Sequence, residues 1–320
     1  MNESPTNWGK HHNWNWNGLC CHWRVLGELK NQPIVLIHGF GASSDHWRHN
    51  AEDFVQAGFC VYGIDLIGFG QSEQPSPKKI NSLENKFWAD QLTSFLEQIV
   101  LPSNPNKAIL VGNSLGGLVA LTTIAIHPEL VQAIIASPLP DPAFIKKVQS
   151  SSPKNEWKRK AKEILVKLFF NLLPLEILIP IISRTNLIYK ALQLAYFHSI
   201  SLDKDLKRLV REPAKKTSAA RALRSMCIGM SLRSKSSTAP SLLNRLSKNL
   251  EKPPILLLWG REDKLVPLSI GENLIKQHSW IKLLVIENCG HCPHDESSKH
   301  FNNLVLNWLE INLKTYSKKA

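Results

Sequence analysis

One short stretch, VGNSLGG at 111–117, constrains the fold more than any other. It closes a continuous apolar run, KAILVGNS (107–114), and opens a helical pattern over 115–127. Gly-x-Ser-x-Gly between a buried strand and a helix marks a sharp turn that lifts a serine above the end of a sheet. Gly112 and Gly116 are expected to lack side chains because the turn presses their backbones against neighbours. Ser114 then stands at the apex, over a helix N-terminus that favours developing negative charge. The pattern fixes only three positions, and a plain glycine-rich turn is the bland alternative.

The surroundings of the turn support a parallel sheet. PIVLIHG (33–39), FCVYGIDL (59–66) and VQAIIAS (131–137) are further apolar runs ending in Gly, Asp or Ser. Strands buried on both faces read this way. Helical patterns near 45–57 and 83–99 lie between them. The alternation resumes with PPILLLWG (253–260), a helix near 268–278, IKLLVIE (281–287) and a helix near 297–313. Upstream, NWNWNGLCCHWRVLGEL suits an antiparallel hairpin on the sheet's edge. The expectation is an α/β fold: a doubly wound, mostly parallel sheet with a helical cap inserted between strands 6 and 7. Core then occupies 1–141 and 253–320, and the cap 142–252.

Serine is a weak nucleophile and needs a base to take its proton, with a carboxylate to orient that base. After such an elbow they are expected in the order acid, then histidine. WGREDKLVP places Asp263 just beyond one strand, and ENCGHCPHDE places His291 just beyond the next. Asp141, in SPLPDPAF, is the rival acid, but Pro140 and Pro142 make it look more like a rigid exit into the cap. Oxyanion donors are expected from the backbone N–H groups of Phe40, in IHGFGASSDHW, and Leu115. His38 reads as a structural hydrogen-bonder. Trp47 either lines the substrate pocket or anchors its turn.

HGFGASSDHW, IDLIGFGQSEQP, VGNSLGG, WGREDKLVP and GHCPHDE together resemble the α/β-hydrolase superfamily. More narrowly the chain resembles the chlorophyll dephytylase and pheophytinase-like serine hydrolases of plastids and cyanobacteria. The likeness covers roughly 14–140 and 253–315 and is weak across the cap. It implies a catalytic triad of Ser114, Asp263 and His291, an oxyanion hole at Phe40 and Leu115, and a hydrophobic ester as substrate. In the best-known members that ester is the phytyl ester of a chlorophyll pigment.

Rival readings remain beside this one. A carbon–carbon bond hydrolase of ring-cleavage products resembles GNS-x-GG too, but such proteins commonly carry Trp after the catalytic histidine, where this chain has Cys292. A cofactor-free perhydrolase uses the same triad. Haloalkane dehalogenases need a carboxylate nucleophile, and position 114 is serine. A non-enzymatic lipid or pigment carrier is the reading from a different class. Cys289 and Cys292 bracket His291 in a Cys-x-x-Cys spacing. A dithiol exchanger or zinc site is disfavoured by Pro293 and the missing fourth ligand, which leaves the two as packing residues. No metal or cofactor is expected.

Charge is unevenly placed. The chain carries a formal net charge of +13, yet the stretch 146–250 holds 22 Lys and Arg against 6 Asp and Glu, a net of +16. The cap therefore faces different surroundings from the core. Within it, KRKAKEILVKLFFNLL is amphipathic, with Ile164, Leu165, Leu168, Phe169 and Leu172 on one face. That face is expected either to pack on the core or to line a tunnel for a prenyl or acyl tail. The lysines and arginines suit an anionic membrane surface, and without interleaved aromatic and basic positions nucleic acid is not expected. Six scattered cysteines and no apolar leader in MNESPTNWGKHHNWNWNG suggest a cytoplasmic protein. The resemblance to plastid and cyanobacterial hydrolases, with the basic cap, implies a peripheral place on a thylakoid or similar membrane surface.

Overall fold

Apolar runs with no polar face need cover on both sides, and the chain supplies it by alternating them with helices. The computed structural model describes residues 6–75, 79–80, 82–144 and 156–317. The eight strands are β1 (Lys10–Trp16), β2 (Leu19–Leu26), β3 (Gln32–Ile37), β4 (Phe59–Ile64), β5 (Ala108–Asn113), β6 (Val131–Ser137), β7 (Ile255–Gly260) and β8 (Lys282–Ile286). They form one sheet in the order β1-β2-β4-β3-β5-β6-β7-β8. β1 and β2 are the antiparallel edge hairpin, and every pairing from β4 to β8 is parallel.

Between the strands run α1 (Ala51–Gln56), α2 (Asn85–Phe95) and α3 (Leu115–Ile126). After β6 the sheet is interrupted by α4 (Glu156–Leu172), α5 (Leu175–Arg184), α6 (Leu187–Gln193), α7 (Lys204–Ala214), α8 (Thr217–Leu232) and α9 (Ala239–Leu246). The chain returns through α10 (Leu268–Gln277), α11 (Pro293–Glu296) and α12 (Ser298–Ser317). The insertion thus lies between β6 and β7, where the sequence places it; its stretch 145–155 is outside the described residues.

Alternate residues of the strands feed opposite cores. Val35, Ile37, Leu110 and Leu257 pack with α2 and α3 on one face. Ile34, Leu36, Val111 and Leu258 pack with Trp47, Phe54 and Phe301 on the other.

Two expectations about the cap are corrected. The apolar face of α4 neither packs on the core nor lines a tunnel: Ile164, Leu165, Leu168, Phe169 and Leu172 are all exposed. Helix α4 rests on α8, and its less exposed side carries Val166 and Phe170. The wall over the sheet comes instead from Ile179 and Ile182 of α5, Ile188 and Leu192 of α6, Val210 of α7 and Leu223 of α8.

Candidate active site

The turn after β5 is as tight as its glycines imply. A Cβ on Gly112 would sit 2.3 Å from the Gly116 carbonyl carbon, and one on Gly116 would sit 2.2 Å from Ile37 O. Ser114 adopts φ 51° and ψ −114°, a left-handed conformation rarely held by a side chain other than glycine. That strain, held by the packing of the two glycines, sets Ser114 at the start of α3 and at the edge of an apolar cavity.

The cavity has a volume of about 570 Å³ and lies at the carboxyl ends of the strands, where open α/β sheets bind ligands. Ser114 and His291 both line it, with Phe40, Phe69, Val266 and Leu265 from the core and the helices of the cap above. No lysine or arginine is among its described lining residues.

His291 is fixed from several directions. Its Nδ1 lies 2.8 Å from Asp263 Oδ2. Asp263 Oδ1 accepts from the Leu265 and Val266 backbone N–H groups at 2.8 and 2.9 Å, so the carboxylate cannot swing away. The carboxylate thereby selects the tautomer with hydrogen on Nδ1 and leaves Nε2 free to accept a proton. The His291 N–H donates to Ala195 O at 2.7 Å, and its carbonyl accepts from Asn113 Nδ2 at 3.1 Å. Asn113 also donates to Ser137 O at 2.6 Å, tying the elbow to the histidine loop.

The rival carboxylate is occupied elsewhere. Asp141 is buried, pairs with Arg233 and accepts from the Ala143 and Ala239 N–H groups at 2.8 and 2.7 Å. It fastens the two ends of the cap to the core. The structure brings Asp263, not Asp141, to His291.

Phe40 lies at the cavity on the turn after β3, and Leu115 is the first residue of α3. His38 is wholly buried: its Nε2 accepts from the Leu66 N–H at 3.0 Å, which leaves Nδ1–H to donate to Gly39 O at 2.7 Å. Burial holds its pKa below the ordinary value, so it stays neutral and structural. Trp47 does not line the cavity. It is fully buried on the opposite face of the sheet against His294 and Phe301, because the short helix at Ser44–Trp47 turns it towards α12. It anchors the turn, and its reading as a substrate-binding residue is corrected.

The two cysteines occupy different cores. Cys289 packs beneath β7 and β8, while Cys292 lies against Ala195 and Tyr196 of the cap and at the cavity wall. Burial raises both thiols well above their ordinary pKa, which suits packing and not thiolate chemistry.

Sequence reasoning missed a buried polar clasp behind His291. Arg48 donates to Asp295 at 2.8 Å and to Asp203 of the cap at 3.0 Å. Tyr196 OH donates to Asp295 at 2.9 Å and so accepts from His46 Nε2 at 2.8 Å. Burial alone would raise the Asp295 carboxyl, but His46 and Arg48 hold it far below the ordinary carboxylate range. Glu296 accepts from the Gly290 and His198 N–H groups at 2.6 and 2.5 Å. A Cβ on Gly290 would sit 2.6 Å from Ala195 O, so the cap segment can approach the loop only over a glycine. No local signal in the sequence marks the clasp, because the Asp-Glu pair after GHCPH reads equally well as solvated surface.

The family described as alpha/beta hydrolase fold matches residues 32–298, and the chain belongs to it. The chloroplastic pheophytinase of Arabidopsis thaliana is 27% identical over 91% of this chain and 64% of its own length. This chain therefore spans just under two thirds of that relative. The pimeloyl-[acyl-carrier protein] methyl ester esterase of Vibrio parahaemolyticus is 28% identical, covering 86% of this chain and 94% of the esterase. A 2-hydroxy-6-oxononadienedioate/2-hydroxy-6-oxononatrienedioate hydrolase of a Pseudomonas species is 24% identical, with 87% and 88% covered. Among solved structures, a membrane phospholipase A superposes with a TM-score of 0.68 at 26% identity, covering 95% of this chain and 86% of that one. The protein has the α/β-hydrolase fold.

Proposed function

We propose that the protein is a serine hydrolase of hydrophobic carboxylic esters. The observation that carries this reading is the 2.8 Å His291–Asp263 hydrogen bond at the wall of the apolar cavity that Ser114 also lines. In the proposed cycle Ser114 Oγ attacks the ester carbonyl while His291 Nε2 takes its proton. Asp263 keeps the imidazole oriented and steadies its positive charge. The backbone N–H groups of Phe40 and Leu115 hold the oxyanion. His291 returns the proton to the leaving alcohol oxygen, and the acyl-enzyme remains. Water, deprotonated by His291, then releases the acid and restores Ser114.

For the substrate, the proposal extends to the phytyl ester of a chlorophyll-type pigment. The pheophytinase relative and the apolar cavity wall support it. The ring-cleavage alternative has a relative of its own, whose name specifies a dicarboxylate. A dianion entering a cavity without lysine or arginine among its described lining residues would lose hydration with no cation to replace it.

The test is release of chlorophyllide and phytol from detergent-dispersed chlorophyll a, beside cleavage of short p-nitrophenyl esters, with Ser114→Ala as control. Cleavage of both that vanishes in the variant supports the whole proposal. Cleavage of the short esters alone keeps the mechanism and removes the pigment. Turnover that survives in Ser114→Ala overturns the mechanism.

A further inference from the structure

Helices α4 and α5 meet at a corner bent by 47°. Among the described residues no single helix is long and apolar enough to cross a membrane. The corner is pinned from the protein side by Arg224 of α8. Its guanidinium donates to Phe170 O at 2.9 Å and Leu173 O at 2.7 Å, and pairs with Glu176. So fixed, the corner leaves Leu165, Phe169 and Leu172 of α4 and Ile177 and Ile181 of α5 more than half exposed. Single exposed apolar residues are ordinary, whereas a contiguous set held rigidly outward marks a surface that meets something.

Charge says what it meets. Lys160, Lys162, Lys167, Arg184 and Lys190 are exposed along α4, α5 and α6. The carboxylates described on these helices, Glu163 and Glu176, pair with Lys167 and Arg224. Lys160, Lys162 and Lys167 fall at the edges of the apolar stripe at helical spacing. A second copy of the chain would bring the same positive sign against this face. An anionic bilayer offers acyl chains to the stripe and phosphates to its rim.

We propose that the outer face of α4 and α5 docks the protein on an anionic lipid bilayer, lying in the boundary between headgroups and acyl chains. The docking goes beyond the hydrolytic reading and does not depend on it. It does give the cap a purpose. Ile179 and Ile182, on the inner side of α5, line the cavity, so one helix separates the bilayer from the catalytic chamber.

The experiment is sedimentation with vesicles of phosphatidylcholine and phosphatidylglycerol, against phosphatidylcholine alone. The wild type and the Ser114→Ala protein are both measured, so that failure of the catalytic reading cannot pass for failure of docking. Both are expected to sediment with the anionic vesicles and to be released as salt is raised. The double substitution Leu165→Ser with Phe169→Ser is expected to lower partitioning by about a hundredfold, roughly tenfold for each side chain withheld from the acyl region. Its thermal midpoint is expected to match the wild type, because both side chains already face solvent. Wild type left in the supernatant, or a double variant that sediments equally well, overturns the proposal. So does a double variant that turns a dimer into a monomer on size exclusion while vesicle binding is absent, which makes a second copy the occupant.

Discussion

The loop at 290–296 buries its polar groups and pairs all but His294 Nδ1 of those that burial encloses, whereas helices α4 and α5 expose apolar side chains and leave them bare. Around His291 a backbone N–H, a carbonyl and a ring nitrogen each have a partner within 3.1 Å. On α4 the five residues of the apolar stripe have solvent. The first arrangement is over-determined: several independent bonds fix one side chain, as a proton-transferring group requires. The second is under-determined until another surface is supplied. One region is nearly complete as it stands, and the other is the face proposed to dock.

The largest expected effect lies in the complete region. Ser114→Ala is expected to lower ester turnover about a million-fold, the usual loss for a triad nucleophile. Thermal midpoint should hardly change, because the strain at φ 51° is set by packing around Gly112 and Gly116 and not by the hydroxyl. Steady-state kinetics beside thermal unfolding checks both halves.

Asp263→Asn comes next, with kcat expected to fall about ten-thousand-fold as the wrong imidazole tautomer is selected. Asp141→Asn is its counterpart. It leaves Arg233 buried against a neutral amide, at a cost of roughly 3–5 kcal/mol in stability. Its kcat at a temperature where the protein is folded should stay close to that of the wild type. If the two variants exchanged their effects, the assignment of the acid would fail.

These pairs also show why the sequence was legible where it was. The elbow, the histidine loop and the alternation of strands with helices are local patterns tied to a fixed geometry: a short apolar run that closes on Gly, Ser or Asp before a helical pattern reads as a buried strand, and Gly112 can only be where Gly116 approaches. Trp47 was ambiguous because position after the turn at Phe40 does not say which side of the sheet a ring enters; the short helix at 44–47 decides that. Periodicity gave α4 an apolar stripe but not the direction it faces, since direction depends on where α8 lies, far along the chain. The clasp of Arg48, Asp203 and Asp295 was hidden for the same reason, its members being 155 and 247 residues apart. A stripe is written in one helix; its neighbour is not.

Trp47→Ala sharpens the contrast between buried and exposed aromatic groups. It empties a closed core among Ala51, Phe54 and Phe301 and is expected to cost about 3–5 kcal/mol. Because Trp47 is outside the cavity, KM for a short soluble ester should stay unchanged while the unfolding midpoint falls. A raised KM at full stability would return Trp47 to the substrate pocket.

Phe169→Ser is expected to have the smallest effect on the isolated protein, within about 0.5 kcal/mol, as for surface substitutions generally. Phe169 is 59% exposed, so folding removes little of its ring from water, and serine loses little by replacing it. Denaturant midpoints of the two proteins should therefore nearly coincide. The same measurement in the presence of anionic vesicles separates the two regions: anything that binds the folded state raises its apparent stability. Wild type should gain stability with vesicles and Phe169→Ser should gain less, whereas Trp47→Ala should gain as much as wild type from a lower start. A large loss for Phe169→Ser without vesicles would mean that the ring is covered within the protein itself, and the contrast between the paired loop and the bare helix would no longer hold.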